Sequence, residues 1–332
     1  MRLSSALERG AVSLPDAGRV LLMRPASEAD LSALPLARCA AHQPFRPDHD
    51  ALAARGLEIS AEMPEGPFAA AVLFVPRARA LGRDMVARAV AALPPGAPVV
   101  VDGDKADGVE TLLRDCRAVA PVGKAFSKAH GKTFAFPAGP VPDDWRAGPR
   151  VVDGWTLRPG VFSADGPDPG SAMLADALPP LSGRVADLGA GWGYLSARVL
   201  AASPDVAAID LVEASAEALD CARANVADPR AAFHWADATR WDGPSCDAVL
   251  CNPPFHPSRR ADPALGRAFI ATAARVLAPR GTAWFVANRH LPYEAALRDA
   301  FAQVEIRADA KGYKVIAAAR PVAATAAARR RR

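Results

Sequence analysis

Residues 184–321 alternate short apolar runs with segments of helical periodicity, and this alternation restricts the possible folds sharply. RVADLGAG (184–191) is an apolar strand running into glycines, and WGYLSARVLAAS (192–203) repeats apolar residues at helical spacing. DVAAIDLVE (205–213) is a second strand, followed by a helix in ASAEALDCARANVAD (214–228) with Ser215 near its start. AAFHWAD (231–237) and CDAVLCNPPF (246–255) supply two more strands. DPALGRAFIATAARVLAPRG (262–281) reads as a helix closed by Pro279 and Gly281. The strand GTAWFVANR (281–289), a helix over about 292–301, and the strands QVEIRADAKG (303–312) and YKVIAAARP (313–321) complete the set. Strands separated by helices imply a mostly parallel, doubly wound α/β sheet. The last two strands share a tight turn and form an antiparallel pair at its edge.

The first half repeats the theme less clearly. Residues 68–116 read strand, helix, strand, helix, with Pro94-Pro95-Gly96 as a turn. LFVPRAR (73–79) falls where the second half has LCNPPFH (250–256), which suggests an internal duplication whose first copy has lost its motifs. The Pro- and Gly-rich stretch 136–150 is the natural boundary, giving domains over 1–150 and 151–321 and a basic Ala/Arg tail over 322–332. With 51% apolar and 23% charged residues, the composition is that of a soluble globular protein. No apolar run approaches bilayer length, and Glu8 and Arg9 interrupt any signal-peptide core. Five cysteines without a CxxC pair point to reduced thiols, no structural metal and a cytoplasmic location. The net charge of +4 permits RNA as a partner, and Arg329 to Arg332 form a run suited to solvent or to a polyanion.

Within this frame, Gly189, Gly191 and Gly193 follow a strand and open a helix. The GxGxG spacing differs from the dinucleotide fingerprint, which would need glycine where Tyr194 stands. Such a turn serves either a ligand or a tight packing corner. Glu213 closes the next strand, where doubly wound folds place an acid on ribose hydroxyls. Asp210 is the weaker candidate in that strand. Asp237 ends the third strand within reach of an adenine amino group, and each acid has a helix cap or loop turn as its plain alternative. At the fourth strand end, Asn252-Pro253-Pro254-Phe255 suits methylation of an exocyclic amine on a planar base. The Asn252 side-chain oxygen and the Pro253 carbonyl accept its N–H bonds, the prolines fix the backbone, and Phe255 offers a stacking face. The methyl donor in such a scheme is S-adenosylmethionine, held in line with the amine.

Asp187, the glycine loop, Glu213, Asp237 and Asn252-Pro-Pro-Phe255, in that order, resemble the class I S-adenosylmethionine-dependent methyltransferases that act on amino groups. GVFSADGPDPGSAMLADALP (160–179), VANRHLPYEAAL (286–297) and KGYKVIAA (311–318) narrow the resemblance to the RsmC-type ribosomal RNA guanine-N2 methyltransferases. The likeness covers residues 153–320 strongly and the first half weakly. It implies a Rossmann-like catalytic domain, a degenerate methyltransferase-like first domain that recognises RNA, and N2 methylation of a small-subunit rRNA guanine by a monomer. Asp168, Gly170 and Ser171 then lie near the methionine end of the cofactor, and Pro254 and His256 near the substrate. Ala190, where a cysteine is frequent, and Pro169 depart mildly from the pattern. Alternatives are a large-subunit rRNA methyltransferase, a protein-glutamine methyltransferase, or a non-catalytic RNA-binding protein.

Other signals carry less. HGKT (130–133) lacks the phosphate-loop glycine at position 126, where Phe126 stands. Cys251 reads as a buried strand residue and His234 as structural. Arg259, Arg260, Lys311 and Lys314 are candidate RNA contacts, with solvated surface charge as the plain alternative.

Overall fold

The computed structural model describes residues 2–254, 263–289 and 293–322. Cα packing separates two units, Met1–Pro149 with Arg158–Gly160, and Arg150–Leu157 with Val161–Arg332. The first carries helices α1 (Arg2–Glu8), α2 (Arg46–Ala53), α3 (Arg79–Ala91) and α4 (Val109–Val119). Its strands are β1 (Arg19–Met23), β2 (Cys39–His42), β3 (Glu58–Ser60), β4 (Phe68–Phe74), β5 (Pro98–Asp104), β6 (Phe126–Lys128) and β7 (Gly131–Pro137), in the order β3-β2-β1-β4-β5-β7-β6.

The second unit opens with a hairpin of β8 (Arg150–Val152) and β9 (Trp155–Leu157). Its helices are α5 (Pro169–Ala177), α6 (Tyr194–Ala202), α7 (Ala216–Asn225), α8 (Pro263–Val276) and α9 (Tyr293–Ala300). Strands β10 (Gly183–Leu188), β11 (Val206–Glu213), β12 (Ala231–Trp235), β13 (Cys246–Cys251), β14 (Leu277–Asn288), β15 (Phe301–Ala310) and β16 (Tyr313–Pro321) form a sheet in the order β12-β11-β10-β13-β14-β16-β15. The central strands are parallel and buried on both faces, so they read as continuous apolar runs. β16 runs antiparallel to both β14 and β15, as the tight turn implies. Among the described residues no helix is long and apolar enough to cross a membrane.

The two sheets share one strand order, and their registers align residue by residue. Arg24 N–H donates to the His42 carbonyl at 2.8 Å, as Gly189 N–H donates to Val212 at 2.8 Å. Leu73 pairs with Met23 as Cys251 pairs with Leu188. Phe74 therefore stands where the second unit has Asn252, one residue off the sequence alignment of LFVPRAR with LCNPPFH, and Gln43 stands where it has Glu213. The fold is repeated in the two units, with different residues at the strand ends.

The structure differs from the sequence reading at the end of α8. The helix stops at Val276, and Leu277 is already paired with Cys246 as the start of β14. Pro279 has no N–H for a helical bond and biases Ala278 toward extended backbone. Gly281 is no left-handed cap: a Cβ there would lie 2.8 Å from the Asp247 carbonyl oxygen, so glycine permits the close approach of β13 and β14.

Asp210, in the middle of β11, ties three strands together. It accepts from Arg184 Nη1 of β10 at 2.9 Å and lies 2.8 Å from His234 Nε2 of β12. The acid is buried while both partners reach solvent. Asp210→Ala is expected to lower the unfolding free energy by about 2 kcal/mol. Urea denaturation reads that loss, with cofactor affinity unchanged in the folded variant.

Candidate active site

In the second unit the chain leaves β10 toward β11 on one side and reaches β13 on the other. This is the switch point at which open α/β sheets bind ligands beyond their strand ends. The glycine loop follows β10 there. Gly191 has φ 57° and Gly193 φ 88°, left-handed values that disfavour other residues. The two glycines serve different ends. A Cβ on Gly193 would lie 2.8 Å from Val226 Cγ2, so this glycine is the packing corner that opens α6. A Cβ on Gly191 would meet nothing within 4 Å, so this glycine faces open space. Asn225 clamps the loop from behind by donating to the carbonyls of Trp192 and Thr156 at 2.9 and 3.0 Å.

Glu213 supports the loop from β11. Its Oε2 accepts from Gly191 N–H at 2.8 Å and its Oε1 from Ser215 N–H at 2.7 Å. Burial raises its pKa against the lowering effect of these backbone bonds. Asp187 is only 1% exposed. Its Oδ2 accepts from Ser196 Oγ at 2.7 Å, and its Oδ1 has no partner among the described residues. Desolvation, aided by the charge of Glu213, pushes its pKa up to about 7 despite the Ser196 bond. Asp237 instead forms a local turn, accepting from Thr239 N–H and Oγ1 at 2.9 and 2.6 Å.

At the fourth strand end, Asn252 meets the start of α5. Asp168 caps that helix, its Oδ2 accepting from Ser171 N–H at 2.8 Å, and Pro169 occupies the first turn, where its missing N–H costs nothing. Asn252 Nδ2 donates to the same Asp168 Oδ2 at 3.0 Å and to Ser171 Oγ at 2.8 Å. The amide orientation is thereby set, and Asn252 Oδ1 is buried without a partner among the described residues. Gly170 packs beneath the Tyr313 ring, where a Cβ would come within 2.9 Å of two ring carbons. Pro253 is buried and Pro254 exposed; Phe255 and His256 lie outside the described residues, as do Arg259, Arg260 and residues 323–332.

Asp168, Ser171, Gly189, Gly191 and Asn252 converge on one cleft of about 390 Å³, its open mouth included. Asp187 and Glu213 stand behind the loop, and Asp237 is not among the lining residues. Phe162, Ser163, Trp192, Tyr194 and Leu195 also line the cleft and were not singled out from sequence. Trp192 and Tyr194 flank the third glycine of the loop, and Phe162 sits in the GVFS segment, so position gave a signal where residue type did not. Cys251 is fully buried, and burial raises its thiol pKa well above normal. Lys314 pairs with Glu294 at 2.7 Å. Gly131 of HGKT begins strand β7. Among the described residues no three His, Cys, Asp or Glu side chains group as metal ligands.

The sign of the Asp187 shift fixes a pH dependence. The folded state keeps this proton up to about pH 7 while the unfolded chain loses it near pH 4, so its contribution to stability falls across that window as pH rises. Asp187→Asn should therefore exceed the parent in Tm by a margin that widens from about pH 4 to about pH 7. Thermal unfolding without cofactor over that range is the check, and a constant margin would contradict the assignment.

The Methyltransferase small domain family matches residues 155–317. A ribosomal RNA small subunit methyltransferase C from Chromohalobacter salexigens is 33% identical over 280 residues, covering 79% of this chain and 82% of that protein. The protein of the same name from Hahella chejuensis is 31% identical over 268 residues, covering 75% and 76%. The solved T. thermophilus 16S rRNA N2 methyltransferase RsmC, in complex with AdoMet and guanosine, superposes with a TM-score of 0.76 at 24% identity, over 93% of this chain and 90% of that one. The chain belongs to the ribosomal RNA small subunit methyltransferase C family of S-adenosylmethionine-dependent enzymes.

Proposed function

We propose that this chain methylates the exocyclic N2 amine of a guanine in small-subunit (16S) rRNA, with S-adenosylmethionine as donor and Asn252 as the residue that holds the amine. The tethered amide carries the reading. Nδ2 is committed to Asp168 and Ser171, so the free atom of Asn252 is an acceptor, as an incoming N–H requires. The guanine amine is a weak nucleophile because its lone pair is delocalised into the ring. Accepting its N–H bonds at Asn252 Oδ1 and the Pro253 carbonyl favours pyramidal nitrogen and stabilises the positive charge that develops on it. The N–C bond forms as the S–C bond breaks, and the nitrogen then gives one proton to water. The stacking face of Phe255 and the substrate contacts of Pro254 and His256 rest on the sequence pattern. The T. thermophilus protein solved with AdoMet and guanosine supports the choice of both ligands.

The residues present suit the donor. It supplies an electrophilic methyl group and carries cationic sulfonium and ammonium groups, to which the carboxylates of Asp168, Asp187 and Glu213 are complementary. Glu213 retains lone pairs for ribose hydroxyls beyond its two backbone bonds. Gly191 leaves room for close approach, and Gly189 and Gly193 shape the loop around it. Asp168, Gly170 and Ser171 are assigned to the methionine end and Asp237 to the adenine. Residues 1–150 are assigned to RNA recognition and 151–321 to catalysis. The enzyme is taken to act as a cytoplasmic monomer: the edge strand β15 exposes Glu305, Arg307 and Asp309, charges that discourage pairing with a second sheet.

Labelled methyl transfer to naked 16S rRNA and to isolated small subunits, followed by nucleoside analysis, tests the reading. N2-methylguanosine is the expected product, and its absence above an Asn252→Ala background would sink the proposal. Asn252→Ala should lower kcat by about 100-fold or more. Ser171→Ala, which loosens the amide without removing it, should cost about tenfold. Removing residues 1–150 should weaken RNA binding and spare cofactor binding; a folded remainder that no longer binds cofactor would refute this division.

A further inference from the structure

Phe162 lines the cleft that holds Asn252, yet 58% of its surface is exposed. A lone exposed ring is ordinary on a protein surface, but this one lines the cleft that holds Asn252, where a planar ligand can cover it. The backbone beneath it is held in place from several sides. Trp192 Nε1–H donates to the Phe162 carbonyl at 3.0 Å. Ser163 adopts φ 52°, unusual for serine, with its hydroxyl donating to the Gly166 carbonyl at 2.7 Å. Arg150 Nη2 holds the next carbonyl, that of Ala164, at 3.0 Å. The ring is thus presented by a locally constrained turn, in a backbone conformation retained despite its strain.

We propose that Phe162 is a second stacking platform for the target base, beside the stacking face assigned to Phe255: the extruded guanine lies on its exposed face while its amine reaches Asn252. This rests on the proposed guanine methylation. Aromatic rings bind unstacked bases through their π faces, and a ring fixed beforehand adds little ordering cost on binding. The position of Phe162 favours the base over the cofactor. More than half of its surface is open to an incoming ligand, enough for a base to lie on the ring from outside the glycine loop. Its carbonyl is tied to Trp192 of that same loop, so the platform and the cofactor loop keep a fixed spacing.

The test uses the full chain with small-subunit rRNA and with isolated small subunits, whichever substrate accepts methyl groups, alongside calorimetric titration with S-adenosylmethionine. Phe162→Ala should raise the KM for RNA roughly 5- to 100-fold. Its kcat and cofactor Kd should stay within about twofold, since stacking present in both ground and transition states moves KM. Phe162→Leu should share the defect because it keeps bulk without a planar face, and Phe162→Trp should restore the parent value. An unchanged KM for RNA in Phe162→Ala would overturn the proposal. So would a weakened cofactor Kd with RNA binding intact, which would give the ring to the sulfonium instead. If the parent makes no N2-methylguanosine above the Asn252→Ala background, the guanine reading fails first and this inference falls with it.

Discussion

Asp168 Oδ2 accepts two hydrogen bonds at once, from Ser171 N–H and from Asn252 Nδ2. The cap of α5 and the orientation of the amide at the end of β13 therefore depend on one carboxylate oxygen. Everything placed around it limits its freedom. Pro169 starts the helix, Pro253 stiffens the other chain, and the Tyr313 ring closes over Gly170. Burial and the charge of Asp168 both raise the pKa of Tyr313, keeping its hydroxyl neutral beside the acid. The geometry of the candidate site thus depends on contacts between segments more than 80 residues apart in sequence.

The first unit shows what the same fold does without this arrangement. Gln43 repeats the Glu213 bond two residues ahead, its Oε1 accepting from Phe45 N–H at 3.0 Å. Its other end, however, donates to the Pro25 carbonyl at 2.8 Å, in a loop where proline offers no N–H. An amide serves that loop, where a carboxylate would face an acceptor. Arg24 takes the first loop position with φ 56°, and Phe74 fills the place of Asn252 with a side chain that has no acceptor. Each change replaces a group that lines or supports the cleft of the second unit while leaving a satisfied backbone. The sheet therefore holds together with quite different residues at its strand ends.

Elements whose function is local were legible in the sequence. The glycine loop, Glu213 and the Asn-Pro-Pro turn each follow an apolar run, and parallel topology brings such strand ends together. Ser215 as a helix cap was readable for the same reason. What escaped was set by neighbours distant in the chain. Asn225 looks like an ordinary helix end, yet it clamps the loop through Trp192 and Thr156. Gly281 looks like a helix stop, but its role comes from a carbonyl on the adjacent strand. Phe162 sits in a segment that carries the family resemblance, but its exposure at the cleft is visible only once the chain is folded.

The two carboxylates behind the loop bear on the proposed reaction. Asp187 and Glu213 both hold protons more tightly than ordinary acids because burial penalises their charge. A cationic ligand offsets that penalty, because a positive charge nearby favours the ionised form of both acids. On the proposed reaction, the donor loses its sulfonium charge when the methyl group leaves. The carboxylates then hold the neutral thioether product less strongly than they held the donor. The buried acids would thus act as a charge-sensitive grip that relaxes once transfer is complete.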